Sequence, residues 1–245
     1  MKNQLKKINF NHSFIFFLFC NIFSLTILKF ENLVFSPLFC LLLILSIGVS
    51  HGSLDHIKGK KLLKIFEIKN IYIFYLIYIF IAATVIVLWT VIPSVSLTIF
   101  LIVASFHFGK EDTQFLIAEN SYYNQLLFFL KGLLVILAPM FFHFEKTISI
   151  FKLLLVENES FYRTLDFIEI NNLILFGIIL STLSSVLLFT KEFEFKKFTI
   201  FLDYFSILII NYYFSPLMAF TMYFCFLHST RHGISLMHEL DENDL

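Results

Sequence analysis

The sequence predicts an all-α, polytopic transmembrane bundle of about eight helices, a single integral membrane domain over residues 1–245. Three observations predict it. Of the 245 residues, 58% are hydrophobic and 15% charged, where ordinary soluble domains carry roughly 25% charge. The mean hydropathy of +0.84 is more apolar surface than a water-soluble fold can bury, so the bilayer has to act as solvent. The apolar residues also fall into runs of the length that a membrane demands, separated by short basic loops.

A spanning helix needs about 20 mostly apolar residues, roughly 17–25. The first run, Ser13–Leu28, follows Lys2, Lys6 and Lys7. It looks like a signal peptide but has no small-residue cleavage site, so it reads as a retained helix. Leu33–Ser50, Ile71–Ile92 and Val95–Phe108 follow, with Pro93 marking the break between the last two. Then come Tyr123–Phe144, Asn172–Thr190, Phe198–Tyr213 and Pro216–Ser229. The fourth, seventh and eighth runs are short, and the last two fit either full spans or a re-entrant pair. The region Asn158–Asp166 reads as the longest polar loop, and Glu239–Asp244 as an acidic tail.

Basic residues gather in cytoplasmic loops. With eight spans and the N-terminus inside, Lys58 to Lys69, Lys110, Lys191, Lys196, Lys197 and Arg231 join the N-terminal lysines on the cytoplasmic side. Only Lys29, Lys146, Lys152 and Arg163 fall outside, and Lys131 lies within the fifth run. The expectation is a multi-pass protein of the cell (inner) membrane with both termini cytoplasmic. A formal net charge of zero gives no reason to expect nucleic acid as a partner. Cys20, Cys40 and Cys225 lie in apolar runs without C-x-x-C spacing, so neither a disulfide framework nor a zinc site is expected.

Four histidines stand out at the ends of apolar runs: His51 in S-H-G-S-L-D-H, His107 in S-F-H-F-G-K-E-D, and His228 and His232 in L-H-S-T-R-H-G. Ionisable groups in or near a bilayer are costly and mark function by default, and imidazole is the commonest metal ligand. On the predicted topology, all four fall at one membrane depth. His228 and His232 are four residues apart, neighbours on one helical face, the spacing used by the paired histidines of zinc proteases. His51 and Asp55 share the same spacing, and Gly52 permits close approach. Asp55 either fixes the tautomer of a ligand histidine or, with His56, opens a solvated basic loop. Glu111 and Asp112 are either carboxylate partners of a ligand or the polar end of a helix. Arg231 pairs with Asp55, Glu111 or Asp112, or anchors the chain by its positive charge. Asp203 faces the site or, as its position favours, bonds to a neighbouring helix. His12, His143 and His238 read as interfacial or solvated. Nitrogen ligands suit Zn, Cu, Fe and Ni alike. Iron with two open positions suits oxidation of a lipid-soluble molecule, whereas four-coordinate zinc would be closed and structural.

The motifs H-G-S-L-D-H at 51–56, F-H-F-G-x-E-D at 106–112 and H-S-x-R-H at 228–232 resemble those of the Brp/Blh family of microbial membrane β-carotene 15,15'-dioxygenases. The resemblance runs from the second helix to the last, with Ser53 standing where alanine is frequent. It implies one Fe2+ held by His51, His107, His228 and His232. It implies cleavage of the central double bond of β-carotene by O2 to give two all-trans-retinals, and a link to a microbial rhodopsin through retinal supply. Phe106, Phe108, Phe224 and Phe226 are the expected lining of a substrate tunnel. The competing readings are a lipid desaturase or hydroxylase with a di-iron site, a proton-coupled transporter, and a haem-binding electron carrier.

Overall fold

The computed structural model describes residues 2–27, 36–52, 55–117, 121–191 and 193–241. They form an all-helical bundle, with no strand among them. The order is α1 (Lys2–Ile27), α2 (Pro37–Gly52), α3 (Asp55–Ile65), α4 (Ile71–Val91), α5 (Pro93–Glu111), α6 (Tyr122–Phe142), α7 (Phe144–Leu153), α8 (Glu159–Ile170), α9 (Leu173–Thr190), α10 (Thr199–Tyr213), α11 (Pro216–Met222) and α12 (Thr230–Asp241). Short 3-10 turns cover Gln114–Leu116 and Phe195–Phe198, and a π-helical segment, Tyr223–Ser229, joins α11 to α12.

Among the described residues, five helices are long and apolar enough to cross a membrane: Asn3–Thr26, Ile71–Val91, Pro93–Leu116, Tyr122–Phe142 and Leu173–Thr190; Pro37–Ile47 is a shorter apolar helix. Of the eight expected runs, the second lies partly outside the described residues, and the seventh and eighth are not among these five. The fifteen residues of α10 rise about 22 Å, short of the roughly 30 Å of bilayer hydrocarbon. The eighth predicted run does not stop at Ser229 but continues as helix to Asp241.

Two predicted loops are helices. The expected polar loop around Asn158–Asp166 lies mostly in α8, where Asn158 accepts a capping bond from the Phe161 amide at 2.9 Å. Phe161, Leu165 and Ile168 recur at helical spacing and pack on the core, leaving a polar face that reads as loop. The basic stretch after Asp55 forms α3.

Helix α6 is the hub, packed by α5, α7, α9 and α10, while α1 runs along α10 and α2 along α11 and the π segment. Small residues set the closest approaches, as packing in a medium as apolar as leucine requires. A Cβ on Gly109 would lie 1.8 Å from the Phe128 carbonyl oxygen, and one on Gly132 would lie 1.8 Å from that of Ser105. Between α6 and α9, Ser181 donates to the Lys131 carbonyl at 3.1 Å.

A graded set of alanine substitutions tests this packing. Gly109→Ala and Gly132→Ala collide with rigid backbone and should each lower stability by about 1–3 kcal/mol or more. Gly177→Ala meets only the flexible end of Leu137, and Gly233→Ala meets nothing within 4 Å; both should be milder, Gly233→Ala near neutral. Thermal unfolding in detergent micelles reads the order.

Candidate metal centre

The last turn of α5 and the π segment meet at one end of the bundle. His107 and Glu111 are one turn apart on α5, with Asp112 immediately after, and the facing segment carries Tyr223, His228, Arg231 and His232. His228 lies in a π turn, a distortion found often at functional sites, so the expected pair on one regular α-helix is corrected. Side chains of other turns take its carbonyls: Thr230 Oγ1 donates to Cys225 O at 3.1 Å, and His12 Nε2 to Phe226 O at 2.8 Å.

The Nε2 atoms of His107 and His228 stand 3.3 Å apart. Two nitrogens bound about 2.0–2.1 Å from one ion, at cis or tetrahedral angles, are about 2.9–3.4 Å apart, so the separation fits a shared cation. Carboxylates fix the ring faces. His228 Nδ1 donates to Asp112 Oδ1 at 3.1 Å, and His232 Nδ1 donates to Glu111 Oε1 at 2.8 Å. With Nδ1 carrying the proton, each ring keeps its lone pair on Nε2, the arrangement by which carboxylates orient ligand histidines. Glu111 and Asp112 therefore sit behind imidazoles rather than simply ending a helix. His228 and His232 are buried and His107 is exposed.

Among the described residues, no group of three His, Cys, Asp or Glu side chains closes around one point. The side chains of His51 and Asp55 lie outside the described residues, so the predicted fourth ligand and its partner are placed by backbone alone. Cys40 of α2 contacts Met218 of α11 through sulfur at 3.7 Å, and α2 packs in turn on α11, the π segment and α12. Eleven residues beyond Cys40, His51 has risen about as far along the bundle as His228, ten residues beyond Met218.

Arg231 does not take the expected partners first. It is wholly buried and makes a bidentate pair with Asp203 of α10, at 2.7 and 3.0 Å. It also donates to Ser13 Oγ at 2.6 Å and to the Asp112 carbonyl at 3.2 Å, with the Asp112 carboxylate 3.5 Å away. Asp203 thus bonds to a neighbouring helix, as its position favoured. Asp112 is the junction, because Tyr223 also donates to its Oδ2 at 2.6 Å. Lys131 faces Asp112, Tyr204 and Tyr223 across a small cavity and is itself buried. Two basic side chains, Arg231 and Lys131, thus share the interior with the acidic side chains of Asp112 and Asp203.

An apolar cavity of about 190 Å³ begins beside the histidines. Phe108 and Tyr223 form its near end, with ring centroids 4.8 and 5.9 Å from that of His228. It follows α5 back to Leu97 and reaches Thr147, Phe151 and Leu154 of the α7 region. Of the four expected lining residues, Phe108 lines it. Phe224 stacks on Phe220 and His228 instead, at 5.5 and 6.0 Å. Phe106 lies under the Lys110 ammonium and Phe226 packs on Phe19, so neither lines it. Sequence reasoning missed Tyr223, although a phenol in an apolar run needs a partner. It also placed His12 at an interface, whereas His12 is half-buried on the π segment.

The fold and the site together define an integral membrane protein of helices, with carboxylate-backed imidazoles set at the end of an apolar cavity. The chain belongs to the family described as beta-carotene 15,15'-dioxygenase, which it matches over residues 42–245. It is 27% identical over 194 residues to a beta-carotene 15,15'-dioxygenase of the uncultured marine bacterium 66A03. That alignment covers 78% of this chain and 66% of the relative, just under two thirds of its length. No solved structure matches the chain. All four predicted ligands fall within the family match.

Removing one partner of a buried ion pair strands the other charge, at about 3–5 kcal/mol. Asp203→Asn and Arg231→Met should each lower stability by that order in micelles, and the double variant Asp203→Leu with Arg231→Met should recover part of the loss. Additive losses in the double variant would show that the two residues act independently.

Proposed function

We propose that the chain cleaves the central 15,15' double bond of β-carotene with O2 to give two all-trans-retinals, at a single Fe2+ held by His51, His107, His228 and His232. The observation that carries this reading is the pair of facing Nε2 atoms, 3.3 Å apart, at the end of an apolar cavity in a chain of this family. Bound iron supplies the one-electron chemistry that lets O2 react with a closed-shell hydrocarbon; the protein supplies position, dryness and charge. Asp112 and Glu111 hold two imidazoles in the ligating tautomer. Tyr223 and Phe108 wall the polyene against His228, and Tyr223 spends its proton on Asp112 rather than on solvent. The reaction balances as one carbon–carbon double bond and one O2 becoming two aldehydes. The basic loops favour the cell membrane with cytoplasmic termini, where retinal would be released for a microbial rhodopsin; membrane lipid is the medium from which substrate comes.

Expression in a β-carotene-accumulating bacterium, with extraction of the pigments, tests the reading. The orange colour should fade as retinal appears. His51→Ala, His107→Ala, His228→Ala and His232→Ala should each abolish retinal formation while the protein stays in the membrane. Intact β-carotene beside well-expressed, iron-loaded protein would overturn the assignment.

Metal analysis separates this reading from a di-iron desaturase: about one iron per chain is expected, not two. Asp112→Asn should weaken metal retention against a chelator by about 10–100-fold, and Glu111→Gln should act in the same direction.

A further inference from the structure

The cavity has a mouth rimmed by apolar side chains. Of its lining residues, Phe100 of α5 and Leu154 after α7 are the two exposed ones, at 54% and 40%. Both present hydrocarbon on the outer surface of a bundle built to sit in lipid. Phe100 stands eight residues before Phe108 on α5, about 12 Å along the helix from the histidine end. One side chain of a neighbouring helix touches both rim residues. Trp89 of α4 donates its indole N–H to the Leu154 carbonyl at 2.8 Å and sets its ring edge-on to Phe100 at 6.2 Å.

Three features mark this contact as more than packing. From Tyr75 to Thr90, Trp89 is the sole residue of α4 that is not exposed, so over that stretch the helix leans on the bundle through its indole. The turn that receives the bond is strained: Leu155 has φ of 65°, an outlier for a bulky residue, and such strain concentrates at sites that move or bind. The other side of the turn is fixed, because Tyr162 of α8 donates to the Val156 carbonyl at 2.5 Å.

We propose that the mouth between α5 and α7, bordered by Trp89, is where a long, rigid, lipid-dissolved hydrocarbon enters sideways from the bilayer. This rests on the reading above that the polyene occupies the cavity. The route suits the chemistry, since such a molecule never has to cross water. Trp89 is then a positioning residue, acting on access rather than on the bond that breaks.

Trp89 is the only tryptophan of the chain, so the mouth carries its own reporter. Metal-free protein is reconstituted in phosphatidylcholine vesicles, and β-carotene is titrated into the lipid while tryptophan emission is recorded. Emission should fall and saturate at about one polyene per chain. A chain carrying Trp89→Phe with Phe205→Trp, whose reporter sits at an exposed position on α10, should show only weak, non-saturating loss. In the loaded enzyme, Trp89→Ala should change KM for β-carotene and leave kcat within about twofold. Retinal formation without saturable quenching at Trp89 would overturn the entry route while leaving the reaction intact. Saturable quenching without retinal would keep the route and sink the reaction. Neither signal would sink the route as well.

Discussion

The buried guanidinium of Arg231 is the constraint around which the rest is arranged. A charge of this kind is tolerable away from water only when it is balanced and hydrogen-bonded; both terminal nitrogens of Arg231 are bonded, while its Nε has no partner among the described residues. Asp203 supplies the balance, and Ser13 and the Asp112 backbone supply further acceptors. These groups come from α10, α1 and the end of α5. Meeting the needs of one side chain therefore forces four parts of the chain to converge at one depth, which a bilayer offering no hydrophobic drive between helices would not otherwise demand.

That convergence puts the chemistry in place. Asp112, held from one side by Arg231 and from another by Tyr223, presents its remaining oxygen to His228. Glu111, its neighbour in sequence, does the same for His232. The close crossing of α5 and α6 at Gly109 and Gly132 brings Lys131 to the far side of Asp112. The ionic cluster and the apolar cavity share Phe108 and Tyr223 as a common wall, so polar support and hydrocarbon lining are two faces of the same few residues.

The helical class and the residues at the centre were legible because their cost shows in the sequence. His107, His228, Glu111 and Asp112 stand in or at the ends of apolar runs, where ionisable groups are costly. Helix number was less legible, because hydropathy counts runs but not rise: Thr199–Tyr213 is apolar yet short, and the Pro216 run continues through a polar stretch to Asp241. Helix α8 hid because its packing face is interleaved with Glu159, Arg163 and Asp166. The bidentate partner of Arg231 was not among the three carboxylates expected for it, although one of them, Asp112, stands 3.5 Å away; pairing depends on which helices touch. The tunnel guesses failed at Phe106 and Phe226 for a related reason: adjacency in sequence to a ligand does not put a side chain on the same face.

A π segment holds more residues than the α turns it replaces, and each residue of an ordinary helix advances the direction of the next by about 100°. The stretch Tyr223–Ser229 therefore works as a phase setter, rotating all that follows against all that precedes. Arg231 and His232 owe their heading to it. Losing a single codon there would leave the ligand histidines present and the helix more regular, yet aim the guanidinium away from Asp203. In this chain, helical irregularity is inherited information, as specific as any side chain.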